Sequence, residues 1–171
     1  MTAAWIGLGS NQGQSEAILN QALQALDRLP STHVADVSSI YKTPPWGLAD
    51  QADFLNAAAK LETGLAPEQF LDGLLTIEQE LGRTRDGPRW GPRSLDLDLL
   101  LFDDQIVDRP RLQVPHPRLH LRAFVLVPLS EIEPGLCVPG LGTVSDLLNS
   151  LDPSECAGIN LDGPLDYNLE P

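Results

Sequence analysis

Apolar residues along the chain follow two spacings, which predicts a protein of interleaved strands and helices. Residues 3–8 form a short apolar run typical of a buried strand, and it ends in the turn-forming sequence Gly9-Ser10-Asn11-Gln12-Gly13. Ser15 then fits a helix N-cap, and apolar residues recur at helical spacing until Pro30 stops the helix.

The middle of the chain contains two further strands and a helix. Residues 34–43 are rich in β-formers and run into Pro44-Pro45-Trp46-Gly47, which favours an extended loop. Residues 54–62 fit the next strand. Pro67 then suits the first turn of a helix whose apolar face continues to Gly82.

Regular elements are shorter in the second half. Residues 83–93 contain two Gly-Pro breaks and are interpreted as a mobile loop before a strand over 94–102. A turn at Asp103-Asp104 and a short return strand over 105–107 follow. Residues 123–129 begin a short apolar segment, and a last helix follows Thr143. From Asp152 the sequence is acidic and contains prolines, so we expect a surface tail over 152–171.

The order of these elements indicates the fold class. Strands and helices alternate irregularly, and several strands are close enough in sequence to form hairpins. This pattern favours an α+β fold with a mostly antiparallel sheet over a doubly wound parallel sheet. A length of 171 residues and an apolar content of 42 % fit one globular domain over 1–171.

Charge is distributed unevenly along the chain. The formal net charge of −13 makes attraction to nucleic acid or to an anionic membrane unfavourable. Residues 83–122, however, hold eight arginines and six acidic residues, a net charge of +2. No signal peptide or membrane-spanning run is visible, and Cys137 and Cys156 are too few for a disulfide framework. We therefore expect a cytoplasmic protein that binds a small anion.

Two acidic residues in the predicted strand over 94–102 are the first candidate site. Side chains alternate between faces in a strand, so Asp96 and Asp98 share one face and the leucines between and beside them share the other. Paired carboxylates suit a Mg²⁺ ion shared with substrate phosphates, and the repulsion between them favours a bound cation. The alternative is a solvated strand face, and the D-x-D pattern alone does not decide between the two.

The loop before this strand is rich in arginine. It carries Arg83, Arg85, Arg89 and Arg93. Guanidinium groups fit phosphate oxygens bidentately, so the loop is interpreted as a lid over a polyphosphate. Surface ion pairs are the alternative, which we favour for Arg89, Arg109 and Arg118. The glycines at positions 7, 9 and 13 lack dinucleotide-binding spacing, and a tight strand-to-helix turn explains them better.

Together these residues resemble the 6-hydroxymethyl-7,8-dihydropterin pyrophosphokinase family of folate biosynthesis. The likeness extends from Trp5-Ile6-Gly7-Leu8-Gly9-Ser10-Asn11 to Val114-Pro115-His116-Pro117, and the run over 89–98 is its most specific part. The resemblance implies a ferredoxin-like α/β sandwich and transfer of pyrophosphate from ATP to the pterin hydroxymethyl group, with release of AMP. It also implies two Mg²⁺ ions and, over 1–171, a single pyrophosphokinase domain.

The resemblance further implies roles for individual residues. Asp96 and Asp98 match metal ligands, and the catalytic group is completed by Arg83 and Arg93. The positions that match ATP contacts are Glu78, Arg85, Trp90, Leu99, Arg111, His116 and Arg122. The positions that match the pterin site are Thr43, Pro44, Trp46, Phe54, Asn56 and Phe124, with the two phenylalanines on either side of the ring. Departures from the family pattern at Leu75, Gln113 and Pro117 affect only finer adenosine contacts.

Two other functions stay open at this point. One is a different Mg²⁺-dependent kinase or nucleotidyltransferase, and the other is a non-catalytic nucleotide-sensing domain of ferredoxin-like fold. The nucleotide product distinguishes the enzymes. The general base is also open between Asp98, a metal-bound water and no dedicated group. We expect a monomer that binds small molecules and neither nucleic acid nor membrane.

Overall fold

Strands and helices fill most of the part of the chain that this computed structural model describes, which is residues 1–11, 15–44, 53–81, 95–165 and 167. The first half contains β1 (Thr2–Ser10), α1 (Ser15–Asp27), β2 (Thr32–Val37), β3 (Ile40–Thr43), β4 (Phe54–Thr63) and α2 (Pro67–Glu80). The second half contains β5 (Asp96–Phe102), β6 (Val107–Asp108), β7 (Gln113–Val114), a 3₁₀ turn (Leu119–Leu121), α3 (Ala123–Ile132), β8 (Cys137–Val138), β9 (Gly142–Thr143), α4 (Val144–Asn149), α5 (Pro153–Ala157) and β10 (Asn160–Gly163).

Six strands form one antiparallel sheet. Its order is β10-β3-β4-β1-β5, and β2 also pairs with β4. The ten-residue strand β4 pairs with β3 through its first half and with β2 through its second half. The central strand β1 lies between β4 and β5. The predicted α+β fold with an antiparallel sheet flanked by helices is therefore confirmed.

Each face of the sheet carries its own hydrophobic core. On the helix-pair face, α1 and α2 pack against β1 through fully buried residues such as Leu23, Phe70 and Ile6. On the α3 face, Leu126 of α3 packs with Trp5 of β1. Consecutive residues of a strand point to opposite faces, so β1 supplies both cores. Each large side chain buried in this way contributes roughly 1.5–3 kcal/mol.

The strands of the first half deviate from the sequence prediction in two places. β1 continues through Gly9 and Ser10, which were expected to form a turn, because both pair with β4 on one side and Gly9 also pairs with β5 on the other. The single strand expected over 34–43 is broken between β2 and β3. At the break, the Ser38 hydroxyl accepts the Ala58 amide at 2.8 Å, and the Ser38 amide donates to the Ala58 carbonyl at 2.9 Å. A side chain thus replaces one backbone partner in the ladder.

The return strand predicted over 105–107 is wrong in its bounds and its partner. Only Val107 of that segment is in a strand, and it belongs to β6, which pairs with β7 instead of β5. Residues 105 and 106 have no strand structure. The outer edge of β5 is instead approached by the segment after β7, where the His116 amide donates to the Leu100 carbonyl at 2.9 Å.

The helix predictions agree more closely with the structure. α2 begins at Pro67 as expected, and α4 follows Thr143, whose hydroxyl caps it by accepting the Asp146 amide at 3.1 Å. The apolar segment that begins at Ala123 forms α3. Among the helices that the structure describes, none combines the length and the apolar character needed to span a bilayer.

The segment from Asp152 lies at the surface as expected, but its described part has more regular structure than a tail. The residues are mostly exposed, but they form α5 and β10, and β10 adds a strand to the sheet beside β3. The side chain of Asp152 caps α5 by accepting the Ser154 amide at 3.0 Å. The composition of this segment concealed its structure because an edge strand needs only backbone partners.

Candidate active site

Gly9 of β1 lies between polar residues of both neighbouring strands, and Gly7 lies beside one polar residue, on β5. Gly9 is in register with Asn56 of β4 and with Asp96 of β5, and Gly7 is in register with Asp98. A Cβ atom on Gly9 would lie 3.1 Å from Oδ1 of Asn56. Both glycines are within the strand, so the strand-to-helix turn expected for them is wrong. Gly9 instead leaves a floor without a side chain between the polar residues of β4 and those of β5.

Asp96 and Asp98 share one face of β5, as the sequence predicted. Both are half-buried, and they alternate with Leu97 and Leu99, which are buried in the core of the helix-pair face. The carboxylates therefore lie on the α3 face. In the described ranges, no cluster of three or more His, Cys, Asp or Glu side chains could hold a metal ion. Two carboxylates fit Mg²⁺, which readily takes its other oxygens from water and phosphate.

Glu78 of α2 holds the start of β5 from the helix-pair face of the sheet. Its side chain is 3 % exposed, and Oε1 accepts the backbone amide of Leu97 at 2.7 Å. Leu97 stands between the two aspartates, so this bond fixes the backbone that carries both carboxylates. Glu78 thus lies on the helix-pair face of β5, and its contact with ATP stays a prediction.

His116 lies beside the carboxylate pair. Burial is the main factor that lowers the pKa of His116; the charge of Asp98 opposes this shift, and the charges of Arg122 and Arg118 add to it. Nδ1 accepts the Arg118 amide at 3.2 Å. In the neutral ring the proton is therefore carried by Nε2, which can donate a hydrogen bond.

The start of α3 brings a cation and an aromatic ring to the same face. Arg122 is the N-cap of α3, and its Cζ lies 5.5 Å from the ring centroid of Phe124. The charge of Arg122 also reaches His116, whose pKa it lowers. Two predicted ATP residues, His116 and Arg122, thus lie together with the predicted pterin residue Phe124.

The predicted pterin residues of β3 and β4 are also neighbours. The Asn56 amide nitrogen donates to the Thr43 hydroxyl at 2.8 Å, and both side chains are buried. Phe54 is opposite Thr43 in the strand register, and Pro44 follows directly after β3. The Asn56–Thr43 bond fixes the orientation of the amide, so that Oδ1 is directed toward Gly9.

Two predicted ATP residues lie away from the carboxylates. The Leu99 side chain packs in the core of the helix-pair face. The exposed guanidinium of Arg111 binds Asp72 on α2, next to the Arg109–Glu68 pair. The surface ion pair favoured for Arg109 is thus confirmed.

Five of the predicted site residues lie outside the described part of the chain. They are Trp46, Arg83, Arg85, Trp90 and Arg93.

The sequence interpretation missed Glu131 of α3. Its carboxylate accepts the Ser39 amide at 2.7 Å, the Ser39 hydroxyl at 2.6 Å and the Tyr41 hydroxyl at 3.0 Å. These bonds join α3, which carries Phe124, to the chain that enters β3. Glu131 is 92 residues from Ser39 along the chain, and no local pattern in the sequence connects the two.

Comparison with known proteins identifies the relatives of this chain. A family model described as 7,8-dihydro-6-hydroxymethylpterin-pyrophosphokinase (HPPK) matches residues 5–134. A 2-amino-4-hydroxy-6-hydroxymethyldihydropteridine pyrophosphokinase from Pseudomonas aeruginosa is 48 % identical over 144 residues, which cover 84 % of this chain and 88 % of the relative. The protein of the same name from Methylorubrum extorquens is 47 % identical over 154 residues, 90 % of this chain and 96 % of the relative.

Solved structures are similar in fold. The crystal structure of an HPPK-DHPS in complex with substrates aligns with a TM-score of 0.68 and 14 % identity. The alignment covers 88 % of this chain and 45 % of that longer one, so this chain spans less than half of its length. At this identity the likeness concerns the fold alone.

Proposed function

The chain belongs to the 7,8-dihydro-6-hydroxymethylpterin-pyrophosphokinase family, and we propose that it catalyses the reaction of this family at the place in the sheet where Gly9 separates Asn56 from Asp96. It transfers a pyrophosphoryl group from ATP to the hydroxymethyl group of 6-hydroxymethyl-7,8-dihydropterin in folate biosynthesis and releases AMP. One observation carries the assignment of the site. The carboxylate pair and the Asn56–Thr43 pair occupy the same face of the sheet, on either side of the stretch of β1 where Gly7 and Gly9 leave that face without side chains.

The carboxylates of Asp96 and Asp98 are assigned as the protein ligands of two Mg²⁺ ions. Both are half-buried on the α3 face, and Glu78 holds the backbone between them. When bound, Mg²⁺ neutralises charge on the ATP phosphates and orients them. The aspartates lie on the edge strand β5, and the bond from the Leu97 amide to Glu78 holds the backbone between them in place.

The ATP phosphates are assigned to His116 and Arg122. The neutral His116 ring donates from Nε2 to a phosphate oxygen, and Arg122 supplies a positive charge at the start of α3. Arg83 and Arg93 are assigned to the transferring group. The remaining ATP contacts are assigned to Glu78, Arg85, Trp90, Leu99 and Arg111.

The pterin ring is assigned to the other side of Gly9. Asn56 accepts from the polar edge of the ring through Oδ1, and Thr43 keeps the amide in the required orientation. Phe54 and Phe124 sandwich the ring, since aromatic faces stack on flat heterocycles. Pro44 and Trp46 complete this side of the site.

The reaction requires the two substrates to be held in line. The pterin hydroxyl oxygen forms a bond to the β-phosphorus, the bond from that phosphorus to the oxygen bridging to the α-phosphorus breaks, and AMP leaves with that oxygen. The hydroxyl proton passes to Asp98 or to water. The residues contribute mainly by positioning the substrates and by stabilising the negative charge that develops on the bridging oxygen.

Replacement of either aspartate tests this assignment. Asp96→Asn and Asp98→Asn keep the size of the side chain but remove the charge, and each should lower the rate of AMP formation by at least about 10³-fold, as expected for loss of a metal ligand. Chromatography of the nucleotides after incubation with ATP, Mg²⁺ and the hydroxymethyl dihydropterin measures this rate. Asp104→Asn, in the exposed turn after β5, is the matched control.

The nucleotide products also separate the reaction from its alternatives. AMP together with a pterin pyrophosphate supports it. ADP would indicate an ordinary kinase, and free pyrophosphate would indicate a nucleotidyltransferase. Full activity of both aspartate variants would refute the assignment of the site.

The protein is further proposed to act as a monomer in the cytoplasm, through one pyrophosphokinase domain over 1–171. Its two cysteines are both free and lie on separate elements, β8 and α5. Its small-molecule substrates require no macromolecular surface. Sedimentation of the purified protein would give its oligomeric state.

A further inference from the structure

The edge of β3 is covered by the C-terminal part of the chain. β10 pairs antiparallel with β3, with Leu161 opposite Tyr41 and Asn160 opposite Lys42. The Lys42 ammonium and the Asp162 carboxylate lie 3.7 Å apart. This segment begins well after residue 134, where the match to the family model ends. We use the name C-terminal strap for Gly158, β10 and Leu165.

The strap joins both layers of the fold around that edge. Before it, α5 contacts α3 on one face of the sheet. After β10, Leu165 packs against the core of the helix-pair face. The strap therefore passes from one face of the sheet to the other around β3, and it is anchored on both sides.

β3 needs such support more than the central strands do. It is four residues long and pairs with β4 only from Tyr41 to Thr43. A short edge strand with one neighbour opens at low free energy, and a second neighbour reduces this opening. The end of β3 is also where the strap contacts the proposed pterin site. A Cβ atom on Gly158 would lie 3.4 Å from Cγ and Cδ of Pro44.

We propose that the C-terminal strap is a positioning element of the pterin site, which acts through β3. It holds Thr43 and Pro44 in place, and Thr43 in turn orients the Asn56 amide by its hydrogen bond at 2.8 Å. The strap touches no reacting atom. This inference rests on the proposed location of the pterin site.

A change in the strap should affect the binding of the pterin more than the binding of ATP. The carboxylates and the backbone that anchors His116 belong to β5, at the opposite edge of the sheet from β10. Two strands, β4 and β1, separate β3 from β5. A change in the strap should therefore alter the KM for the pterin and leave the KM for ATP within about twofold, since positioning errors act locally.

Truncation is the direct experiment. A chain that ends at Gly158 lacks β10 and Leu165, and we expect its KM for the pterin to rise about fivefold or more. A chain that ends at Tyr167 keeps the strap and is the matched control, for which the KM should not change. Equal changes in the KM values for the pterin and for ATP would overturn the proposal, and so would a fall in kcat alone. A purely structural role predicts either of these results, because it reduces the amount of active protein without a selective effect on the pterin.

A point variant keeps the test decisive if the shorter chain does not fold. Gly158→Leu places a side chain against Pro44 and should raise the KM for the pterin about fivefold, with the KM for ATP unchanged. Gly135→Leu makes the same substitution where an added Cβ would have nothing within 4 Å, so it is the matched control. An unchanged KM for the pterin in Gly158→Leu would overturn the proposal.

Phe124→Ala separates failure of the strap from failure of the site assignment. It removes a proposed pterin contact on α3, away from β10, and should raise the KM for the pterin whatever the strap does. If it leaves that KM unchanged, the location of the pterin site is wrong and the strap inference fails with it. If it raises that KM and the strap variants do not, only the strap inference fails.

Discussion

The absence of a side chain at Gly9 has a consequence that a single substitution can measure. In Gly9→Ala the new Cβ would lie 3.1 Å from Oδ1 of Asn56, so the amide must shift away from the pterin edge. We expect the KM for the pterin to rise about tenfold, which corresponds to about 1.4 kcal/mol of lost binding. Steady-state kinetics with saturating ATP measure this change.

Gly7→Ala is the control for this experiment. It makes the same substitution two residues earlier in β1, where the nearest atom, Cδ1 of Leu100, would lie at the ordinary contact distance of 3.7 Å. Its KM for the pterin should change less than twofold. A larger effect at Gly7 than at Gly9 would contradict the role of Gly9 as the floor between the two sets of polar residues.

Arg111 offers a second test at the residue scale, since Asp72 holds it on α2. If Arg111 contacts ATP as proposed, ATP must compete with this carboxylate. Asp72→Asn should then lower the Kd for ATP about two- to fivefold, the range set by an exposed ion pair. Isothermal titration calorimetry would report it.

The neighbouring ion pair on the same helix provides the matched control for Asp72→Asn. Glu68→Gln releases Arg109, for which no ATP contact is proposed, and it should change the Kd for ATP less than Asp72→Asn does, since Glu68 acts on Arg111 only through its charge. Equal effects of the two substitutions would indicate a general change in surface charge instead of a specific role of Arg111.

At the scale of elements, the bonds of Glu131 join α3 to β3 and make the ionisation of Tyr41 a reporter of that junction. Burial, the hydrogen bond to Glu131 and its negative charge raise the pKa of Tyr41 to about 12. An unfolded tyrosine has a pKa of about 10. Tyr41 therefore stabilises the fold fully below pH 10, and this contribution is lost as the pH rises through about 12.

Glu131→Gln should lower the pKa of Tyr41 toward its ordinary value, because the charge is removed while an acceptor remains. The ultraviolet absorbance of the ionised phenol, followed against pH, measures it. The sequence contains two tyrosines, so Tyr41→Phe identifies which transition belongs to Tyr41. If Glu131→Gln leaves that transition where it was, the two elements are not coupled through this carboxylate.

At the scale of the whole molecule, metal is expected to serve the substrate and not the fold. Within the described residues no cluster of three or more metal-ligating side chains occurs. Because the ions are proposed to be held jointly by Asp96, Asp98 and the ATP phosphates, chelation with EDTA should abolish AMP formation without lowering the Tm of the protein alone. ATP with Mg²⁺, at about 100 times its Kd, should raise the Tm by roughly 5–10 °C, and EDTA should remove most of this rise.

Calcium offers a control for that experiment, because it takes oxygen ligands with a longer and less regular geometry than Mg²⁺. It should restore part of the rise in Tm but little of the rate. A lower Tm in EDTA without nucleotide would contradict the prediction, since it would indicate a structural metal site.

The net charge of the whole molecule does not describe the charge of its individual segments. The net charge of −13 says little about the ligand, since the segment over 83–122 is positive. Within that segment, Arg109 and Arg111 bind acids of α2, whereas Arg122 lies beside Phe124. Position in the fold, and not position in the sequence, thus decides which carboxylate or ring each of these arginines contacts.

Several elements and much of the chemistry could be predicted from the sequence. Alternation over two residues put Asp96 and Asp98 on one face of a strand, and helical spacing with Pro67 defined α2, because both patterns depend on neighbours close in the chain. The resemblance carried by the motifs correctly identified the family and its reaction. The structural features among these could be predicted because each depends on residues that are close together in the chain.

Contacts between distant parts of the chain depended on the tertiary fold. Gly9 lies between Asn56 and Asp96 because β4 and β5 pair on either side of β1. Glu131 binds Ser39 because α3 packs against β3, and β10 forms because an acidic, exposed segment pairs with the edge of β3. Backbone pairing and single hydrogen bonds between distant residues leave no periodic trace in a sequence, so these contacts had to be observed.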